Sequence, residues 1–355
     1  VILLAGLPKA GEVTMRSKLC GGALRIAILA AGLAQAGATA VAQEAPSLAG
    51  KTVTIYVGYG PGGGYDLYAR VLARHLGRHL AGHPTIVVSN MPGAGSIRAA
   101  NYVYSIAAKD GTALGIVAQS IGEEQLLGTA GVSYDVAKFA WIGRFASNVE
   151  VAYVWHTAAV KTIEGLRTVE ATFAGTGPTS VIYPRLLNSF AGMKWKVVAG
   201  YNTTAVAHLA MQRGEVDGAT SSLNTIKTTQ RDWLDNRLIR LLVAFALQRS
   251  AEFADVPAVV EFGRTQEDKD VLRFYAGSGA VGRAVIAPPG MPADRLRMLR
   301  AAFDATMKDA EFLAEVETTK LEFEPMPGAE LQAMVEASTK VTPAVLARAR
   351  AARAE

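Results

Sequence analysis

Val53-Thr-Ile-Tyr-Val-Gly-Tyr-Gly-Pro-Gly-Gly-Gly-Tyr-Asp66, continued by Leu67-Tyr-Ala-Arg-Val-Leu-Ala-Arg-His-Leu76, is the stretch on which the fold turns. Val53, Ile55 and Val57 belong to a β-branched run that predicts a buried strand. Five glycines between positions 58 and 64 let the backbone turn sharply with no Cβ in the way. Asp66 starts a helix along which Leu67, Val71 and Leu72 recur at helical spacing. A strand, a glycine loop and a helix N-terminus together offer backbone N–H groups to an anion.

Gly58, Gly60 and Gly63 also fit the dinucleotide fingerprint. That fingerprint wants an acidic residue about 20 positions on to hold a ribose, and between Leu67 and Lys109 there is neither Asp nor Glu. Pro61 removes one N–H from the loop, and no Gly-Lys-Ser/Thr marks a nucleoside triphosphate site. A tight structural turn accounts for the glycines without any ligand. The reading carried forward is a small-anion site, in which Gly63 adopts a positive φ and Asp66 caps its own helix.

The first 42 residues read as a secretory signal peptide. A basic segment at 15–18 precedes an apolar core at 26–33 and a small-x-small cleavage site at 40–42. Residues 1–14 precede Met15 and read as an upstream extension. Cys20 is the only cysteine, so the mature chain has no disulfide and no thiolate nucleophile. The leader carries four of the 36 basic and one of the 31 acidic residues. The mature chain is therefore near neutral, and nucleic acid is not implied as a partner.

Two strand-loop-helix units open the chain: 53–57 with 67–76, then 85–89 with the loop Asn90-Met-Pro-Gly-Ala-Gly-Ser96 and a helix at 97–107 capped by Ser96. Such units predict a parallel sheet with helices on its faces. Strands follow at 112–118, 139–145 and 149–155, with an interdomain crossing at 146–148. The middle segment repeats the device, with a glycine turn at 175–177 and hydroxyls ahead of helices at 181–190 and 204–212. Strands at 194–199, 216–222, 238–247 and 278–287 follow, the last returning to the first domain. Helices at 293–307, 310–316 and 329–337 come next, and 343–355 reads as a solvated helix or tail. The expected architecture is α/β, with lobe 1 made of 43–148 and 280–355 and lobe 2 of 149–279.

Gly60-Pro-Gly-Gly-Gly-x-Asp66 with Ala69-Arg70, Asn90-x-Pro-Gly-Ala-Gly95, Asp255-Val-Pro257 and Ala287-Pro-x-Gly-x-Pro292 occur in order. Together with the leader they resemble the tripartite tricarboxylate transporter receptors, also called the Bug family. The resemblance runs from about 51 to 337. It implies a two-lobed periplasmic binding protein, type II-like, with two α/β domains joined by two crossing strands. It implies a monomeric receptor without cofactor or catalysis, secreted to the periplasm. That receptor captures a small carboxylate through loop backbone and water, and delivers it to integral membrane subunits. Carried over by position, the site comprises Tyr59, Gly60, Pro61, Gly62, Gly63, Gly64, Tyr65 and Asp66 in the first lobe. The second lobe supplies Thr176, Gly177, Thr179, Ser180, Tyr201, Asn202, Thr203 and Thr204. Gly58 and Gly60 stand where the family usually has prolines, and Tyr65 where a small residue is common. The Tyr65 ring either leans into the cleft and selects the solute, or packs against a helix.

Other classes are weaker. His75, His79 and His83 fall four apart, as metal ligands do, but no acidic residue lies nearby in sequence and solvated histidines account for them. Ser120, Ser180 or Ser221 lacks the Gly-x-Ser-x-Gly setting of a nucleophile, with only His156 and His208 as further bases. A sensor built on the same fold differs from a receptor only in its partner.

Overall fold

The computed structural model describes residues 47–201 and 203–354. The predicted leader, with Cys20 and its cleavage site, and Asn202 lie outside them. The first part of the chain runs β1 (Thr52–Val57), α1 (Gly64–His75), β2 (Thr85–Asn90), α2 (Ile97–Ser105), β3 (Ala113–Ile116), α3 (Ile121–Leu126) and β4 (Ala140–Arg144). It then continues through β5 (Glu150–Trp155), β6 (Ala171–Gly175), α4 (Pro178–Ala191), β7 (Trp195–Ala199), α5 (Thr204–Gln212) and β8 (Gly218–Ser222). After α6 (Leu223–Thr229), α7 (Arg231–Asp235), β9 (Ile239–Phe245) and α8 (Gln266–Gly277) comes β10 (Ala284–Ala287). The chain ends with α9 (Ala293–Thr306), α10 (Ala310–Thr318), β11 (Met326–Pro327), α11 (Gly328–Ser338) and α12 (Pro343–Ala354).

Two mixed sheets result, in the orders β11-β4-β10-β3-β1-β2 and β7-β6-β8-β5-β9. In the first, β1 lies parallel between β2 and β3, and its Val53, Ile55 and Val57 are fully buried. In the second, β6 is parallel to β7 and β8, while β5 runs antiparallel to β8 and β9. Strands covered on both faces must bury nearly every side chain, and β3, β4, β8 and β10 do so along their whole length. Each lobe is thus an α/β layer structure with its own core. None of the described helices is long and apolar enough to cross a membrane.

Two segments, 145–149 and 278–283, carry the chain between the sheets. They run side by side: Phe145 N–H donates to Arg283 O at 2.9 Å, Arg283 N–H to Ala146 O at 2.9 Å and Asn148 N–H to Gly279 O at 2.8 Å. The return is not one strand from 278, because residues 278–280 form a tight helical turn before β10 begins. Gly282 needs its φ of +57° there, and a Cβ at this position would meet Ala146 O at 2.0 Å.

The C-terminal segment differs from the expected solvated tail of the first lobe. Ala349 and Ala352 of α12 are buried in the core that holds α4 and α8. Arg348 pairs with Asp268 and the Tyr275 hydroxyl donates to Ala349 O at 3.3 Å. An Ala/Arg composition looks solvated when counted along the chain, but Val345, Leu346, Ala349 and Ala352 gather on one packed face and leave the arginines off it. From that face α12 reaches back to the first lobe, where Arg350 donates to the carbonyls of Leu126 and Leu127 at the end of α3.

The histidines of the first helix region are also not simply solvated. His75 is buried beside Glu315 at 2.5 Å, and His79 meets Asp309 at 2.8 Å. Their carboxylate partners come from more than 200 positions away, which local sequence cannot show. No group of three or more potential metal ligands occurs among the described residues.

Gly282→Ala should destabilise the protein through the crossing. A non-glycine residue at positive φ costs about 1–3 kcal/mol, and the contact with Ala146 O adds to it. At about 2–4 °C per kcal/mol, calorimetry should show Tm lowered by several degrees. An unchanged Tm would mean that the paired crossings relax without cost.

Candidate functional site

The loop after β1 is shaped by what it lies against. A Cβ on Gly58 would fall 1.6 Å from the Ser96 hydroxyl oxygen, so only glycine fits. Ser96, itself at φ +81°, does not cap α2 with its side chain. Its hydroxyl instead accepts the Ala118 N–H at 3.0 Å, tying the second glycine loop to the end of β3. Gly62, not Gly63, takes the left-handed conformation, with φ +83° against −87°.

Helix α1 begins earlier than expected, with Gly64 and Tyr65 already in its first turn. Asp66 therefore sits inside the helix and reaches back to accept the Gly62 N–H at 2.9 Å. It also accepts Arg70 Nε at 2.9 Å and Asn90 Nδ2 at 2.9 Å. Burial alone would raise its pKa, but these three donors hold the Asp66 carboxyl below its ordinary value. One loop amide is thereby spent on the protein rather than left for an anion. Ser180 does the same in the second lobe: its hydroxyl accepts the N–H groups of Thr176 at 2.8 Å and Gly177 at 2.9 Å.

Two adjoining cavities open where the loops of the two lobes face each other. The larger holds about 550 Å³ and the smaller about 120 Å³. Tyr59, Gly60, Thr176, Gly177 and Thr179 line both, so the two spaces form one cleft. Gly63, Gly64, Tyr65, Thr203 and Thr204 line the smaller, and Tyr201 the larger. Pro61, Gly62, Asp66 and Ser180 line neither.

The structure adds residues that single-chain reading passes over. Pro92, Gly93, Gly95 and Ser96 of the second glycine loop wall the larger cavity, beside Ser120, Glu123 and Glu124. The smaller cavity gains Glu150, Ser221, Ser222 and Arg283. The second glycine loop carried a visible motif. Arg283 and Glu150 carried none, since one charged residue at the end of a strand is ordinary in sequence.

Arg283 is only 3% exposed. Among the described residues its Nε and Nη1 have no hydrogen-bond partner, and its guanidinium joins no ion pair within 4.0 Å. It rests on the Tyr65 ring, 3.9 Å from the centroid, and Tyr59 stacks on the same ring at 4.6 Å. A desolvated cation on an aromatic face gains about 2 kcal/mol, which holds the guanidinium without neutralising it. The Tyr65 hydroxyl accepts the Gln119 N–H at 3.1 Å. The ring therefore both packs and lines the cleft.

From Gln119 a polar chain crosses the floor of the cleft. Asn148 Nδ2 donates to Gln119 Oε1 at 2.5 Å and to Glu150 Oε1 at 3.2 Å, and the Ser222 hydroxyl donates to Asn148 Oδ1. Burial pushes the Glu150 carboxyl above its ordinary value, against the opposing pull of Arg283 and Asn148. At the far end Glu124 pairs with Arg353 at 2.9 Å, while Oε1 of buried Glu123 has no partner among the described residues. Neither His156 nor His208 lines either cavity. His208 is buried, hydrogen-bonded to the Tyr153 hydroxyl at 2.7 Å, and burial pushes its pKa down to about 4.

Residues 68–345 match the family described as the tripartite tricarboxylate transporter family receptor. The match begins just past the first glycine loop. A TctC solute-binding protein from Polaromonas is 18% identical with a TM-score of 0.58, covering 85% of this chain and 98% of its own. The periplasmic binding protein BugD is 20% identical with a TM-score of 0.66, covering 86% of this chain and 98% of its own. MatC from Rhodopseudomonas palustris with bound malate is 19% identical with a TM-score of 0.63, covering 85% and 98%. These likenesses show a shared two-lobed fold. No curated protein matches the chain significantly.

Glu123 makes a pH prediction. Burial, chiefly, with Glu124 adding to it, raises its folded pKa well above the ordinary 4.5 despite Ser278 and Arg353. Below pH 4.5 the group is protonated folded or unfolded, and its contribution to stability is intact. As pH rises from there toward the folded value, the unfolded chain releases its proton first and stability falls. Glu123→Gln should abolish that fall. Tm of wild type and variant, followed between about pH 4 and pH 8, should diverge upward with the variant higher. Parallel curves would mean that Glu123 ionises freely in the folded protein.

Proposed function

The chain belongs to the tripartite tricarboxylate transporter receptor family, and on that premise we propose that it captures a small organic carboxylate in the interlobe cleft. It then delivers the solute, chemically unchanged, to the integral membrane subunits of a transporter of that type. It works in the periplasm as a monomer and needs no cofactor.

The observation that carries this reading is Arg283. A buried cation without an anionic partner is costly, and this one sits in the wall of a cavity between two lobes. A carboxylate entering that cavity supplies the missing charge beside the guanidinium. Thr203 and Thr204 at the N-terminus of α5, a nine-residue helix, face the same space, where a helix end adds about 0.3–1 kcal/mol toward an anion. Micromolar affinity needs about 8 kcal/mol, so the helix end alone is insufficient and the guanidinium becomes the main anchor. MatC with malate, and an R. palustris protein with adipate that is 22% identical with a TM-score of 0.62, support a carboxylate as the solute.

A thermal-shift and calorimetric panel of mono-, di- and tricarboxylates should raise Tm for at least one class. Arg283→Ala should weaken that binding about 10- to 150-fold, the equivalent of about 1.5–3 kcal/mol for a charged hydrogen bond. Unchanged affinity in the variant would remove the anchor from Arg283. Mass analysis after incubation should recover the solute intact, and reproducible turnover would defeat the receptor reading.

A further inference from the structure

The smaller cavity holds two opposite charges that do not pair with each other. Arg283 lines it without a carboxylate partner, and Glu150 lines it from the first residue of β5. No Arg283–Glu150 contact within 4.0 Å occurs among the described residues, whose ion pairs include neither residue. Asn148 donates to Glu150 Oε1 at 3.2 Å and Ser221 and Ser222 line the same cavity. Glu150 is opposite Ser222 in the strand register, so these groups share one end of the β5–β8 pair. The remaining charged groups of the cleft, Glu123, Glu124, Arg185 and Arg353, line the other cavity.

Opposite charges held apart in one small space match a ligand that carries both signs on neighbouring atoms. A dianion short enough to stay in the smaller cavity would satisfy Arg283 and set its second charge against Glu150. A plain monocarboxylate would leave Glu150 buried against carbon. A zwitterionic head satisfies both, with its carboxylate on Arg283 and its ammonium on Glu150 and the serine hydroxyls. The adjoining 550 Å³ is within the about 300–1,000 Å³ that takes a sizeable ligand. Tyr59, Pro92, Val181, Ile182 and Tyr201 give it an apolar stretch of wall, suited to an apolar side chain.

We propose that the solute is an α-amino acid with a large side chain, its carboxylate held by Arg283, its ammonium by Glu150 and its side chain in the larger cavity. This rests on the receptor reading above and narrows it. It explains why an acidic residue lines the smaller cavity beside Arg283, which capture of a plain carboxylate does not require.

The test is calorimetry on the mature chain with solutes matched except for the amino group: phenylalanine with hydrocinnamate, leucine with isocaproate, alanine with propionate. Each amino acid should bind at least about tenfold more tightly than its partner, and leucine and phenylalanine more tightly than alanine. Glu150→Gln should bring each pair close to parity, chiefly by weakening the amino acids. Equal or tighter binding of the desamino acids to the wild-type chain overturns the inference and leaves the receptor reading standing. So does a Glu150→Gln variant that keeps the wild-type ratio. Absence of binding by every member, with no carboxylate of the wider panel bound either, overturns both. The wild-type ratios decide the matter even where the variant does not fold.

Discussion

The pairing of the two crossing segments is the constraint on which the rest of the molecule depends. Hydrogen bonds from Phe145, Arg283 and Asn148 bind 145–149 to 278–283 as a short antiparallel ribbon. Backbone groups passing through the interior need partners, and each crossing supplies them for the other. Arg283 belongs to that ribbon, so its guanidinium is positioned by backbone and not by a flexible loop. Asn148 belongs to it too and extends the same rigidity through its side chain to Gln119, Glu150 and Ser222. The charged floor of the cleft is thus built on the crossing segments themselves.

Each lobe presents glycine- and hydroxyl-rich loops to the cleft, and the charges beneath them lie beside the crossing segments. The molecule tolerates a desolvated cation there because the Tyr65 ring supports it and Tyr59 packs on that ring. Tyr65 therefore serves the arginine first. The helix ends, thought of alone, would make a generic anion site. Asp66 and Ser180 turn several of their amides inward, which shifts recognition from backbone toward side chains.

The C-terminal helix adds a third connection between the lobes. Its buried alanines fix it to α4 and α8, while Arg350 and Arg353 reach α3 of the first lobe. Arg353 also lines the larger cavity. The far wall of the cleft thus depends on the last residues of the chain, which give no local sign of it.

Sequence alone determined the α/β class, the order of nearly all the elements and the family, because each rests on local pattern. β-branched runs, glycine turns and helical spacing act within about ten residues, and Val53 to Leu72 shows all three. Tyr59, Gly60, Thr176, Gly177 and Thr179 were legible as loop residues for the same reason. What only the tertiary structure decided is which charges meet. His75 finds Glu315, Arg348 finds Asp268, and Arg283 and Glu150 face one cavity from positions 133 residues apart. Nor could sequence tell that Gly62 and not Gly63 would turn left-handed, since adjacent glycines are interchangeable until a neighbour such as Asp66 takes one amide. Charge pairing and burial are set by long-range packing, and a single charged letter carries no record of what it will be packed against.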